Sequence, residues 1–145
     1  MVLTYLASRI GYGINWAVDG SCALALQGIP VHPNDIDILT DRDGAYRIEM
    51  ALSCFAKVPV EYGQTAKYRS HFGIFVISGV RVEVMGDLQV FRNGKWTSAQ
   101  NPSSTGVRHV MLEGVEIPVV HLNYLESTGY KDERLKRENL PQPGK

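Results

Sequence analysis

Apolar positions along the chain alternate between two periods, and the switches between them mark its elements. Val2, Leu3, Leu6 and Ile10 recur near helical spacing and stop at Gly11 and Gly13, which predicts a helix within residues 2–12. "INWAV" (14–18) is a short apolar run with the look of a buried strand, broken by Gly20. Ser21 is a good N-cap for a short helix, "CALALQG", that ends at Gly28 before a proline. Pro30, Pro33 and Asn34 make a loop, and "DIDILT" (35–40) then alternates polar and apolar, so Ile36 and Ile38 face one way and Asp35 and Asp37 the other.

"DRDGAYRIEMALSCFAK" (41–57) returns to the helical period, with Ile48, Leu52 and Phe55 toward the core and acids near the N-terminus, where the helix dipole favours them. Two strands joined by a Gly-containing turn follow, "HFGIFVIS" and "GVRVEVMG". In the second, Val80, Val82 and Val84 share one face and Arg81, Glu83 and Met85 the other. "DLQVFRNGKW", "VRHVMLEGVEIPVV" and "HLNYLES" predict a further short strand, a hairpin and a helix, with "NPSSTG" as a loop. With no internal repeat, low-complexity tract or linker, the expected fold is α+β, a mixed β-sheet flanked by helices in a single domain over residues 1–145. Its core is expected within about 14–90, with a C-terminal hairpin and helices over about 105–140.

Composition adds little to that picture and removes several alternatives. The 145 residues are 44% hydrophobic and 21% charged, ordinary for one globular domain able to bury a core without disulfides. Fifteen basic residues balance fifteen acidic ones, so any polyanion site must be local. The longest basic run, "KDERLKRENL" from Lys131, is interleaved with acids at helical spacing and has the pattern of a solvated helix face. Cys22 and Cys54 lack metal or redox spacing and are expected as buried free thiols. The N-terminal "MVLTYLASRIGYG" has neither a basic n-region nor a long apolar stretch, so no signal peptide or membrane span is expected there and a cytoplasmic protein is.

The candidate chemistry lies in the carboxylates. Two ionised acids two positions apart on a strand are costly without a counter-charge, which an Arg or Lys from a neighbouring element or a divalent cation would supply. Mg2+ takes one or two protein carboxylates and completes its shell with substrate phosphates, so Asp35 and Asp37 with a third acid from an adjacent strand suit it. Zinc fits less well, because His32, His71, His109 and His121 are scattered. Gly20 lets a backbone approach a ligand and Ser21 adds a hydroxyl, although Gly-Ser before a helix is equally the pattern of a plain N-cap.

Taken together, "VDGSCALALQGIPVHPNDIDILTD" (18–41) resembles the signature of the DNA polymerase beta-like nucleotidyltransferase superfamily, a hydrophobic-Gly-[Gly/Ser] motif followed about a dozen residues later by Asp-x-Asp. "YRSHFGIFVISGVRVEVMG" (68–86) resembles the stretch bearing the third acid in its small prokaryotic members, among them antibiotic nucleotidyltransferases and the nucleotidyltransferase toxins. The resemblance implies that Gly20 and Ser21 hold the triphosphate, that Asp35 and Asp37 bind Mg2+ (or Mn2+), and that Glu83 takes the third position as metal ligand and base. Many relatives carry Asp there, and Glu is one methylene longer; Asp87, after Gly86, is the rival.

The implied activity is metal-dependent transfer of NMP from an NTP, with ATP the first choice, to the hydroxyl of an unidentified acceptor: a small molecule, RNA or protein. The alternative is a catalytically silent module of the same fold that binds nucleotide or a partner protein. A third reading has Asp35 and Asp37 merely ion-paired with Arg42, Arg81 or another base. Lys67 and Arg69, just before a strand, are the candidate contacts to the polyphosphate, with Lys131 and Arg134 as looser ones; Tyr68 is a candidate to stack on a base, and Trp16 fits the core. The C-terminal part carries no recognisable acceptor motif, so a partner protein or a homodimer is expected to complete the cleft, with no membrane involved.

Overall fold

A computed structural model describes residues 2–128. Lys131 and Arg134, and the C-terminal region beyond Thr128, lie outside the described residues. The elements run α1 (Val2–Ile10), β1 (Trp16–Asp19), α2 (Gly20–Leu26), β2 (Ile36–Thr40), α3 (Arg42–Ala51), a 3-10 turn (Ser53–Phe55), β3 (Ala56–Gln64), β4 (Tyr68–Ile77), β5 (Val80–Arg92), β6 (Lys95–Trp96), α4 (Pro102–Thr105), β7 (Val107–Leu112), β8 (Val115–Val120) and α5 (Leu122–Ser127).

One mixed sheet of eight strands organises the chain in the order β3-β4-β5-β2-β1-β8-β7, with β6 paired to β5. β2 pairs antiparallel with β1 and parallel with β5, and β1 pairs parallel with β8. The middle strands hold the core: every residue of β1 is buried, and Ile38, Leu39, Val82 and Val84 have no exposed surface. α1 lays Leu3, Leu6 and Ile10 on this core. Asp41 caps α3 by accepting from the Gly44 amide at 2.7 Å, and the helix buries Ala45 and Ile48.

α3 lies close against β5 because Gly86 has no side chain: a Cβ there would stand 2.8 Å from the Asp41 carbonyl oxygen and 2.9 Å from the Ala45 methyl. Val82, Val84 and Gly86 therefore face the helix, which leaves Glu83 and Met85 to the opposite face.

The α+β class and the mixed sheet flanked by helices match the sequence expectation; several elements do not. β3 was not predicted: it is an edge strand with only Val60 buried and with Pro59 inside it, so it lacks the alternation that marks a half-buried strand. β5 does not end at Gly86 but runs on to Arg92 through Asp87, whose φ of 51° marks a local kink. "NPSSTG" is not a plain loop. Asn101 and Ser104 form a reciprocal capping box around a one-turn helix. Cys22 is buried as expected, whereas Cys54 is exposed in the 3-10 turn. Among the described residues no helix is long and apolar enough to cross a membrane.

Candidate active site

Three carboxylates lie in a row across three adjacent strands. Asp19, the last residue of β1, is the register partner of Asp37 on β2, and Asp37 is the partner of Glu83 on β5. Side chains of register partners project to the same face, so the row stands on the face that α3 leaves free. It forms the floor of a cleft of about 800 Å³, walled by the start of β4, the far half of β5 and α5.

The kink at Asp87 shapes that cleft. Before it the odd-numbered residues Glu83 and Met85 line the space; after it the even-numbered Leu88, Val90 and Arg92 do. One extra residue has re-phased the strand so that both halves serve one cavity. Asp87 itself is used elsewhere, accepting from the Arg42 amide at 3.2 Å and the Asn101 side-chain amide at 3.0 Å.

Gly20 joins the row to α2. Its φ of +64° lies in the left-handed region, and a Cβ on it would collide with Oδ2 of Asp37. The helix cap is Asp19 rather than Ser21: Asp19 Oδ1 accepts from the Gly20 amide at 2.8 Å, and Ser21 stands inside the helix. Ser21 is thereby released from the capping duty predicted for it, and its half-buried hydroxyl makes no hydrogen bond to another described residue.

The electrostatics are unbalanced. Burial first, and then the Glu83 carboxylate beside it, push Asp37 up to about 7, and its protonated form donates a hydrogen bond to Glu83; Asp19 and Asp35 push in the same direction. Burial also raises Asp19 to about 6, against the opposing hydrogen bond from Gly20. Near Asp19, the partly buried phenol of Tyr124 on α5 is held well above the usual tyrosine range by burial and by that carboxylate. Arg81 pairs with Glu83 at 2.8 Å, while neither Asp35 nor Asp37 has an ion-pair partner among the described residues.

Asp37, Glu83, Gly20 and Arg69 thus meet at the cleft, and Ser21 adjoins it; Asp35 and Lys67 are placed differently. Asp35 is exposed, one residue before β2, and acts on Asp37 only through its charge. Lys67 is exposed in the turn before β4 and does not line the cleft. Arg69 does, but its Nε donates to Gln89 Oε1 at 2.9 Å and its guanidinium carbon stands 4.4 Å from the centre of the Trp96 ring. Tyr68 lines the cleft and Trp16 is core.

Sequence reading missed Asp19 and Arg92. An Asp directly before Gly-Ser at a strand-to-helix junction is a cap signal that was available. Arg92 was hidden by reading β5 as two strands; its guanidinium lines the cleft and donates to the Ser127 and Thr128 carbonyls, each at 3.1 Å.

The residues present fit a hard divalent cation. All the donors are oxygens, Asp37 is held up by burial and by the carboxylates around it, and the missing Cβ of Gly20 leaves room for the Asp37 carboxylate. No three His, Cys, Asp or Glu side chains among the described residues are drawn together as a closed metal cage, so a shell built here would need ligand oxygens as well.

Comparison with known proteins bears on the same residues. The family model described as aminoglycoside-2''-adenylyltransferase matches residues 2–140. The crystal structure of a candidate nucleotidyltransferase from Thermotoga maritima is 38% identical, covers 94% of this chain and 86% of its own, and superposes with a TM-score of 0.83. No curated protein matches the chain.

Proposed function

The chain belongs to the aminoglycoside-2''-adenylyltransferase family of nucleotidyltransferases, and from that premise we propose that it transfers NMP, with AMP the first choice, from an NTP to an acceptor hydroxyl in a reaction that needs Mg2+ or Mn2+. The observation that carries this reading is the register row Asp19–Asp37–Glu83 at the cleft floor beside Gly20. Asp37 and Glu83, with Asp35 at the mouth of the strand, would hold the cation. When bound, it supplies positive charge to the phosphate oxygens and to the departing pyrophosphate.

The chain's own residues do the rest. Gly20 and Ser21 receive the triphosphate, and the free Ser21 hydroxyl donates to it. Arg69 and Arg92, the cations of the cleft wall, lie where a polyphosphate would draw them from their present partners. Arg81 holds the Glu83 carboxylate in place. The acceptor oxygen bonds to the α-phosphorus, the bond to the β-phosphate's bridging oxygen breaks, and pyrophosphate leaves with that electron pair. Glu83 takes the acceptor's proton. Positioning and electrostatics account for most of the acceleration in such a transfer.

Incubation with each of the four labelled NTPs, Mg2+ or Mn2+ and host lysate, following label transfer and pyrophosphate release, tests the proposal. Asp37→Ala and Asp35→Ala are expected to abolish transfer. Binding of nucleotide with no label transferred would favour a silent nucleotide-binding module instead.

A further inference from the structure

We propose that the protein forms a homodimer in which β7 of one copy pairs antiparallel with β7 of a second, so that one sheet runs through both. This goes beyond the transfer reading and uses residues away from the cleft.

The sheet ends in two edge strands, β3 and β7. An edge strand carries a row of backbone groups with no partner, and proteins keep such a strand solitary with prolines and bulges. β3 is guarded in both ways: Pro59 lies within it and its register with β4 shifts twice. The Val60 amide, moreover, is taken by the Glu49 carboxylate. β7 has none of these devices. It contains no proline and pairs with β8 in unbroken register from Val107 to Leu112.

The hairpin decides which groups of β7 face outward. Glu113 and Gly114, with φ of 50° and 79°, form a two-residue turn of the kind that closes on a hydrogen-bonded pair, here Leu112 and Val115. Bonded and non-bonded pairs alternate along an antiparallel ladder. Leu112, Val110 and Arg108 are therefore bonded to β8, while Val107, His109 and Met111 direct N–H and C=O away from it. Pro118, opposite His109, fits this phase, because its missing N–H there takes no bond from β7. Among the described residues no other strand pairs with β7.

The side chains select the occupant. Beside the edge lies a groove of about 900 Å³ whose lining includes Tyr12, Ile14, Val107 and Met111. Tyr12 is 99% exposed and Met111 65%, apolar surface left in water next to unpaired backbone. Charge is divided along the hairpin, with Arg108 and His109 toward its open end and Glu113 and Glu116 toward its turn. Such a strand is complementary to its own reversed copy. A two-fold axis through Val110 sets His109 of one copy opposite Met111 of the other and Arg108 opposite Leu112. The basic end of each strand then lies beside the acidic turn of its partner, and His109 and Met111 exchange N–H···O bonds in both directions. β8 separates β7 from β1, and the cleft walls on β4 and β5 are further along the sheet, so the second copy leaves both clefts open.

Sedimentation equilibrium of the full chain between about 1 and about 100 μM tests this. Pairing through one strand of six residues makes a small interface, so a Kd on the order of 10 μM is expected. Between those concentrations, amide exchange at His109 and Met111 should slow about fourfold, following the monomer fraction. Met111→Pro removes an outward donor and no bond to β8, and is expected to raise Kd at least about tenfold. Glu113→Lys makes both ends of the strand basic and is expected to weaken the dimer about threefold, and adding Arg108→Glu should restore it. MgATP affinity, measured by calorimetry on the same proteins, should stay unchanged.

A protein that is monomeric throughout this range would overturn the proposal; protected His109 and Met111 amides in that monomer would assign the edge to the chain's own residues 129–145. A dimer that tolerates Met111→Pro, with exchange at those two amides independent of concentration, would overturn it equally. Dimerisation without any MgATP binding would overturn the transfer reading and leave the β7 interface standing.

Discussion

Asp37 concentrates the physics of the site in one side chain. Its carboxyl is largely withdrawn from solvent beside Glu83 and within reach of the charges of Asp19 and Asp35, which together push it up to about 7. The folded protein therefore holds a proton there, between about pH 4 and 7, that the unfolded chain has lost. In that window the folded state binds more protons than the unfolded one, so this group's contribution to stability is full below the unfolded value and is lost as pH rises through the folded one. Asp19, at about 6, has the same sign over a slightly lower window. Asp37→Asn keeps the shape and removes the titration. Without metal, the variant is expected to gain on the wild type as pH rises from 5 to 8, by about 1–3 kcal/mol at the top of that range. Urea denaturation of both proteins in chelator at the two pH values measures the difference; a gap that stays constant or narrows would mean that Asp37 is ionised in the folded protein throughout.

At the scale of elements, β5 decides which acids reach the cleft. Glu83 stands before the kink, in register with Asp37, whereas Asp87 is the kink and ties the first turn of α3 to the cap of α4. Activity and stability should separate accordingly. Glu83→Gln is expected to lower label transfer about a hundredfold or more with little loss of stability. Asp87→Asn should keep transfer within about threefold while weakening the fold by about 1 kcal/mol, because it alters two hydrogen bonds that join elements. The reverse pattern would move the third carboxylate to Asp87. The same strand shows what sequence could and could not give. The alternation of Val80, Val82 and Val84 was legible because one face packs under α3, and Asp35 and Asp37 announced themselves through a motif. The continuation through Gly86–Asp87 was not, since that dipeptide has the pattern of a strand end and only the pairing with β4 and β6 holds it extended. β3 escaped for a related reason: an edge strand with one buried residue owes its conformation to β4 and not to its own pattern. Asp19 escaped because nothing local reveals that β1 and β2 align it with Asp37.

Across the whole molecule, the fold carries its least balanced charge at the centre of its sheet and completes that balance from outside. The core on the α3 face is apolar and closed, with no buried side-chain polar atom left without a partner among the described residues, while the opposite face gathers carboxylates and leaves its cleft open. Ligand binding should therefore be strongly coupled to global stability. A ligand at a hundredfold excess over its Kd adds about 2.7 kcal/mol, which for a chain of this length raises Tm by about 5–10 °C. Mg2+ with ATP is expected to produce a shift of that order, and ATP in chelator a much smaller one. The shift should also grow between pH 6 and 8, because a proton on Asp37 competes with the cation for the same oxygens. Asp37→Asn removes both the shift and its pH dependence. Differential scanning fluorimetry across that pH range distinguishes this behaviour from a purely structural carboxylate network, for which Mg2+ and ATP would leave Tm unchanged at every pH. The direction with pH is the sharper criterion, since non-specific binding of ATP to surface lysines would weaken, not strengthen, as the protein becomes more negative.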